Sequence, residues 1–107
     1  MIRVIYRWQV QPGGEETFVS AWIEGTQWIR TQINGAQGSL LLRHHCQPLE
    51  FIAIARWDSL ADWQAFSNAG LPDVGAFHRL AAVSTLVSTE IGEEILDLVE
   101  EATPGWV

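Results

Sequence analysis

Apolar and polar positions along this chain switch between a period of two and a period near 3.6, the signatures of strand and helix. From Ile2 to Val10 they alternate. Ile2, Val4, Tyr6, Trp8 and Val10 fall on one face, and Arg3, Arg7 and Gln9 on the other, which predicts a first strand. Pro12-Gly13-Gly14 ends it. Glu15 and Glu16 stand where a helix N-terminus favours negative charge. From there to about Ile33 the spacing is helical, with Phe18, Trp22, Gly25, Ile29 and Ile33 in one stripe and Val19 and Trp28 on its flanks. A glycine inside that stripe weakens the helix slightly, and it lets something bulky approach.

Asn34 to Gly38 reads as a loop, and Ser39 to His45 as a second strand in which Leu40, Leu41 and Leu42 put apolar groups on both faces. Cys46-Gln47-Pro48 turns the chain into a third strand ending at Arg56-Trp57, so the two form an antiparallel hairpin. In this third strand Phe51, Ile52, Ala53, Ile54 and Ala55 are again apolar on both faces, as in a strand covered on both sides. Asp58-Ser59 offers a helix N-cap, with Asp62 as the capping acid. Trp63 and Phe66 share a face of the second helix, which is interrupted from Asn68 to Pro72 and resumes near Asp73, with Phe77, Leu80 and Ser84 on one side. Glu94 to Ala102 is compatible with a fourth strand or a short helix. A strand is the expectation, because three strands alone leave the first with an unpaired edge.

The order is then β-α-β-β-α-β, an α+β, ferredoxin-like split with a four-stranded antiparallel sheet in one domain over residues 1–107. Both helices fall on one side of the sheet. The apolar residues on the other side form a patch too large for a monomer to expose. A second copy of the same sheet covers it most simply, so the expectation is a homodimer with two sheets face to face and the helices outside.

Composition narrows the classes. Hydrophobic residues are 48% of 107, enough for a core, and the formal charge is −7. All six basic residues are arginines, and six carboxylates lie between Glu90 and Glu101, read as a solvated acidic edge. This balance argues against nucleic acid and against an anionic membrane as partners. No apolar run approaches the roughly 20 residues of a membrane span and no leader pattern opens the chain, so a cytoplasmic location is expected. Cys46 is the sole cysteine, which excludes an internal disulfide.

One combination of segments carries a resemblance. A strand, Pro12-Gly13-Gly14-Glu15-Glu16, a long helix with Phe18 and Ala21-Trp22, a loop ending Gly38-Ser39, a hairpin, and Ala55-Arg56-Trp57-Asp58-Ser59 leading into the next helix follow in order. Over about residues 2 to 87 this resembles the antibiotic biosynthesis monooxygenase family of dimeric α+β barrel proteins. The resemblance implies a barrel of two sheets. The family includes cofactor-free oxygenases of polycyclic phenols and quinones, haem-degrading enzymes and many members of unknown role. Haem-degrading members use a first-strand asparagine, a tryptophan on the second helix and a histidine further along. Here the first strand reads Tyr6-Arg7-Trp8, Phe66 falls at or near the tryptophan position, and only His78 falls near its counterpart.

Each candidate residue has a bland alternative. His78 suits a catalytic base or an iron ligand, and equally an exposed helical histidine. Arg7 and Arg56 suit stabilisation of a substrate anion, or ion pairs with Glu50 or with carboxylates across a dimer. Trp22, Trp28, Trp63 and Phe66 suit an aromatic-walled substrate pocket, or plain core. His44, His45 and Cys46 look like metal ligands, but strand alternation separates His45 from the other two, so no metal site is expected. Phosphate-loop, HExxH and GxSxG motifs are absent. The leading expectation is a small-molecule-binding homodimer resembling cofactor-independent monooxygenases of aromatic or quinol compounds, with no cofactor. A non-catalytic ligand-binding or stress-related dimer is second and a haem-binding protein third.

Overall fold

A computed structural model describes residues 1–99 of the protein. Its elements run β1 (Ile2–Val10), α1 (Glu15–Gln32), β2 (Ala36–Arg43), β3 (Glu50–Trp57), α2 (Leu60–Asn68), α3 (Gly75–Val83) and β4 (Ser84–Glu93). The strands make one antiparallel sheet in the order β2-β3-β1-β4, the expected ferredoxin-like arrangement.

Alternation decides which side chains meet the helices. Phe51, Ala53, Ala55 and Trp57 of β3 are buried, while Ile52, Ile54 and Arg56 between them are only half-buried. On β1, Ile2, Val4 and Val10 are buried on the same side. The strand that reads as apolar on both faces is therefore fully covered on one face by this chain. The other face carries Ile5, Ile52 and Ile54 beside Leu40 and Leu42, two leucines that are each 47% exposed.

Local chemistry fixes the helix starts and stops. Ser59 caps α2 as expected: its Oγ accepts from the Asp62 amide at 3.1 Å and donates to Asp62 Oδ2 at 2.9 Å. Gly35, at φ +85°, packs against that same carboxylate, and a Cβ there would fall 2.3 Å from Asp62 Oδ2. The α2 stop is Gly70 at φ +82° followed by Pro72. Gly25 also does what its place in the α1 stripe implies. An added Cβ would lie 3.2 Å from Phe77 Cε1, so the glycine lets α3 approach α1 closely.

The fourth strand departs from the sequence-based expectation. It is Ser84–Glu93, following α3 without a loop, and not Glu94 to Ala102. Thr85, Val87, Thr89 and Ile91 are β-branched at alternate positions, which favours extended backbone. The free edge of β1 does need a partner, but the partner begins ten residues earlier. Ser84 accordingly opens a strand and does not extend the helix. A bulge between Arg7 and Trp8 opposes Leu86 to Ser88. Glu94 to Val99 lie outside regular structure, and residues 100–102 of the expected strand lie outside the described residues. Glu94 instead bridges two arginines that oppose each other across β1 and β3. Its oxygens accept from Arg3 Nε at 3.0 Å and Arg56 Nη2 at 3.1 Å. Like charges directly opposite in a sheet repel, and this carboxylate relieves the pair.

Candidate ligand cavity

The buried residues on the helix side form two clusters. One contains Val10, Phe18, Ala21, Phe51 and Leu80, with Trp8 and Trp22 packed on it. There Phe18 stacks on Trp22 at 5.9 Å and lies 5.1 Å from Phe51. The other contains Ile2, Val4, Ala36, Ala55 and Trp57, with Tyr6, Trp63 and Phe66 packed on it. Trp57 and Phe66 lie 5.4 Å apart. Between these aromatic groups the chain places small residues: Gly25 on α1, Ala36 and Gly38 on β2, and Ala55 on β3. The space they leave is an apolar cavity of about 70 Å³ that is partly open to solvent, so a larger flat ligand would enter it by one edge. Its aromatic walls are Trp22, Trp57, Phe66 and Phe77.

Polar groups enter at two places. Ser39 Oγ accepts from Trp22 Nε1 at 3.0 Å and lies 3.3 Å from Thr26 Oγ1, so this cluster largely satisfies itself. Tyr6 also lines the cavity, and its phenol oxygen accepts from Trp63 Nε1 at 2.8 Å. Burial pushes the Tyr6 phenol above its ordinary range, and the Trp63 hydrogen bond offsets part of that rise. The group is therefore a neutral phenol at physiological pH.

The residues singled out from the sequence fall in several places. Trp22 and Phe66 line the cavity. Trp63 touches it only through Tyr6. Trp28 packs edge-on against Phe77 at 5.9 Å and lines a separate open groove under the α2–α3 break, with Leu71, Pro72 and Asp73. His78 does not line the cavity. Its side chain is 63% exposed, and Nε2 lies 2.7 Å from Asp73 Oδ1. Arg7 projects from the opposite face of the sheet, 3.6 Å from Glu90. Arg56 contributes to the cavity wall, but its guanidinium is held by Glu94. Both arginines thus pair with carboxylates of their own chain, and neither pairs with Glu50. His44 Nδ1 accepts from the amides of Cys46 and Gln47, so it shapes the hairpin turn. Among the described residues no group of three potential ligands converges for a metal.

Tyr6, Thr26 and Ser39 escaped the sequence reading as site residues. The available signal was Tyr6 within an otherwise apolar alternating face, a polar tip placed toward the helices. For Ser39 the available signal was its place directly after Gly38 at the start of the expected second strand.

Comparisons with known proteins agree with this fold. The model of the antibiotic biosynthesis monooxygenase family matches residues 1–80. Among solved structures the chain is similar to a provisional antibiotic biosynthesis monooxygenase from Deinococcus radiodurans, at 19% identity and a TM-score of 0.70 over 94% of this chain and 100% of that one. It is similar to SnoaB, a cofactor-independent oxygenase from Streptomyces nogalater, at 20% identity and a TM-score of 0.66 over 92% and 97%. It is also similar to MhuD, a haem degrader from Mycobacterium tuberculosis solved with two haems in its active site, at 20% identity and a TM-score of 0.68 over 92% and 100%. At these identities the likeness to solved structures speaks for the fold. No curated protein sequence matches the chain.

Proposed function

The chain belongs to the antibiotic biosynthesis monooxygenase family, and from that membership and the cavity we propose that it binds a flat, mostly apolar aromatic or quinol compound and oxygenates it without metal or flavin. The observation that carries this reading is the aromatic-walled cavity between helices and sheet, apolar except for Tyr6 and the Ser39–Thr26 pair. In such chemistry the substrate's own anion supplies the electron to dioxygen. The protein's part is to hold the ring system, exclude water and stabilise the anion. Arg7 pairs with Glu90 and Arg56 Nη2 with Glu94, while Arg56 Nε has no partner among the described residues and His78 faces solvent. In this reading the substrate enters already as its anion, so no side chain has to take its proton.

The same reading has the protein act as a homodimer. The open face of the sheet, with Leu40, Leu42, Ile5, Ile52 and Ile54, is flat and aliphatic, as a sheet-to-sheet interface requires.

A second reading, a dimeric ligand-binding module without turnover, has one observation in its favour. Among the described residues lining the cavity, Tyr6 is the only one whose side chain titrates and is free of an ion pair. Haem fits less well. His44 and His45 stand at the end of the hairpin and His78 in solvent, so no imidazole faces the cavity to ligate iron.

The test is twofold. Quenching of tryptophan fluorescence by fluorene, a flat tricyclic hydrocarbon, measures occupancy of the cavity. Dioxygen uptake with hydroxylated naphthoquinols and anthrones measures turnover. Saturable quenching with uptake above the uncatalysed rate supports the oxygenase. Quenching without uptake supports the binding module. Neither would overturn both.

A further inference from the structure

The phenol oxygen of Tyr6 accepts a hydrogen bond from Trp63 and, among the hydrogen bonds of the described residues, donates none. A phenol hydrogen lies near the plane of its ring and has two in-plane positions. Trp63 Nε1–H, at 2.8 Å, occupies one of these directions as donor, so the Tyr6 hydrogen turns to the other side. Tyr6 lines the cavity and Trp63 does not. A ligand in the cavity would meet the hydroxyl from the side away from Trp63. The nearby Ser39, Thr26 and Trp22 groups bond to one another, and beside them this phenol has a hydrogen that no acceptor among the described residues takes.

We propose that Tyr6 selects, from flat apolar ligands, those that present an acceptor oxygen such as a ketone, quinone or phenolate, and that Trp63 is the positioning residue that aims its hydroxyl. Two features support it beyond the geometry. Accepting a hydrogen bond from Trp63 polarises the phenol and makes it a stronger donor in turn. Burial keeps the proton on the oxygen through the neutral range. The substrate class is thereby narrowed to molecules whose oxygen sits at the edge of the ring system nearest β1. The inference rests on the cavity being the ligand site.

The experiment uses the full chain and two probes of one shape, fluorene and 9-fluorenone, which differ by a single carbonyl oxygen. Wild-type protein is expected to prefer fluorenone. Tyr6→Phe is expected to weaken fluorenone about tenfold, the upper range for one neutral hydrogen bond, and to leave fluorene within about twofold. The infrared carbonyl stretch of bound fluorenone should lie at lower frequency in wild type than in Tyr6→Phe. Trp63→Phe keeps the phenol but frees its rotation, and should give an intermediate frequency. Circular dichroism verifies that both variants are folded.

Equal losses for the two probes in Tyr6→Phe, or a carbonyl stretch that ignores both substitutions, overturn the inference and leave the cavity reading intact. Failure of both probes to bind wild type overturns the cavity reading and the inference with it.

Discussion

The two faces of the sheet are made from one set of strands and do different work. On the helix face, β3 presents Phe51, Ala53, Ala55 and Trp57, large at the ends and small in the middle. A helix laid over such a row rests on its ends and leaves a gap at its centre, and Gly25 on α1 lies over that gap. On the open face the same strand presents Ile52 and Ile54, beside Leu40, Leu42 and Ile5. These are of nearly one size, so the surface is flat and leaves no cavity. Its charges sit together, with Arg3 and Arg56 bound to Glu94, and Arg3 also to Asp97 at 3.0 Å. Graded side-chain size leaves a cavity, while uniform size leaves a flat surface.

The largest effect expected from breaking this contrast comes at the large end of the helix face. Trp57 is 3% exposed and packs on Phe66. Truncating a buried tryptophan to alanine removes about 3–5 kcal/mol, against a total of roughly 5–15 kcal/mol for a small domain. Trp57→Ala should lose most of the stability in a chemical denaturation. On the open face, Ile54→Asp should act on assembly and not on the fold. A charge buried without a partner costs several kcal/mol, and each ~1.4 kcal/mol is tenfold in dissociation constant. Sedimentation should show the proposed dimer weakened by about a hundredfold or more, with the circular dichroism spectrum retained. An unfolded Ile54→Asp would mean that the open face belongs to the core of a single chain.

The contrast was legible in the sequence to different depths. Strict alternation in β1 and the two-faced run in β3 fix the sheet and its helix side without any structure. So do the Ser59–Asp62 cap and the glycine at position 25. Strand β4 was placed too late because, as an edge strand exposed on most positions, it has no strong apolar pattern, only the β-branched rhythm of Thr85, Val87, Thr89 and Ile91. The cavity was half legible. Aromatic residues on the helix face mark its walls, but its volume comes from where Ala36, Ala55 and Gly25 converge, and convergence across three elements leaves no local mark. Charge was the least legible. Arg56 sits next to Trp57 in sequence, yet alternation sends its guanidinium to the far face.

Smaller changes sharpen the contrast at the cavity. Gly25→Ala gains about 1 kcal/mol of helix propensity, opposed by a Cβ 3.2 Å from Phe77 Cε1. The two nearly cancel, so the unfolding midpoint should scarcely move. The methyl group occupies cavity space, however, and fluorene should bind several-fold more weakly. If affinity is unchanged while stability falls, the glycine serves packing alone.

A spectroscopic effect isolates the phenol, because Tyr6 is the only tyrosine. Alkaline titration of the tyrosinate absorbance should therefore report it alone, with a midpoint above the ordinary value of about 10. The Trp63 hydrogen bond lowers that midpoint, so Trp63→Phe should raise it further. The linkage sign follows. The folded state holds this proton more tightly than the unfolded state, so the contribution is intact below the ordinary tyrosine range and declines as pH rises through it. A midpoint in Trp63→Phe below that of wild type would contradict the hydrogen bond as drawn.

The smallest effect belongs to His78, the residue that sequence alone ranks first for function. It lies one position from Phe77, which is 8% exposed, yet α3 turns it by about 100° per residue and sends its ring to solvent beside Asp73. A substitution on such a surface usually changes stability by about 0.5 kcal/mol or less. His78→Ala should therefore leave the denaturation midpoint and fluorene affinity close to wild type, in contrast to Trp57→Ala on both counts. Dioxygen uptake is the measurement with the most to say. If uptake by naphthoquinols collapses in His78→Ala while fluorene still binds, the histidine reaches the ligand through a movement of the Gly70–Pro72 break, and the base lies on α3. Unchanged uptake leaves the chemistry to the residues that line the cavity, Tyr6 among them.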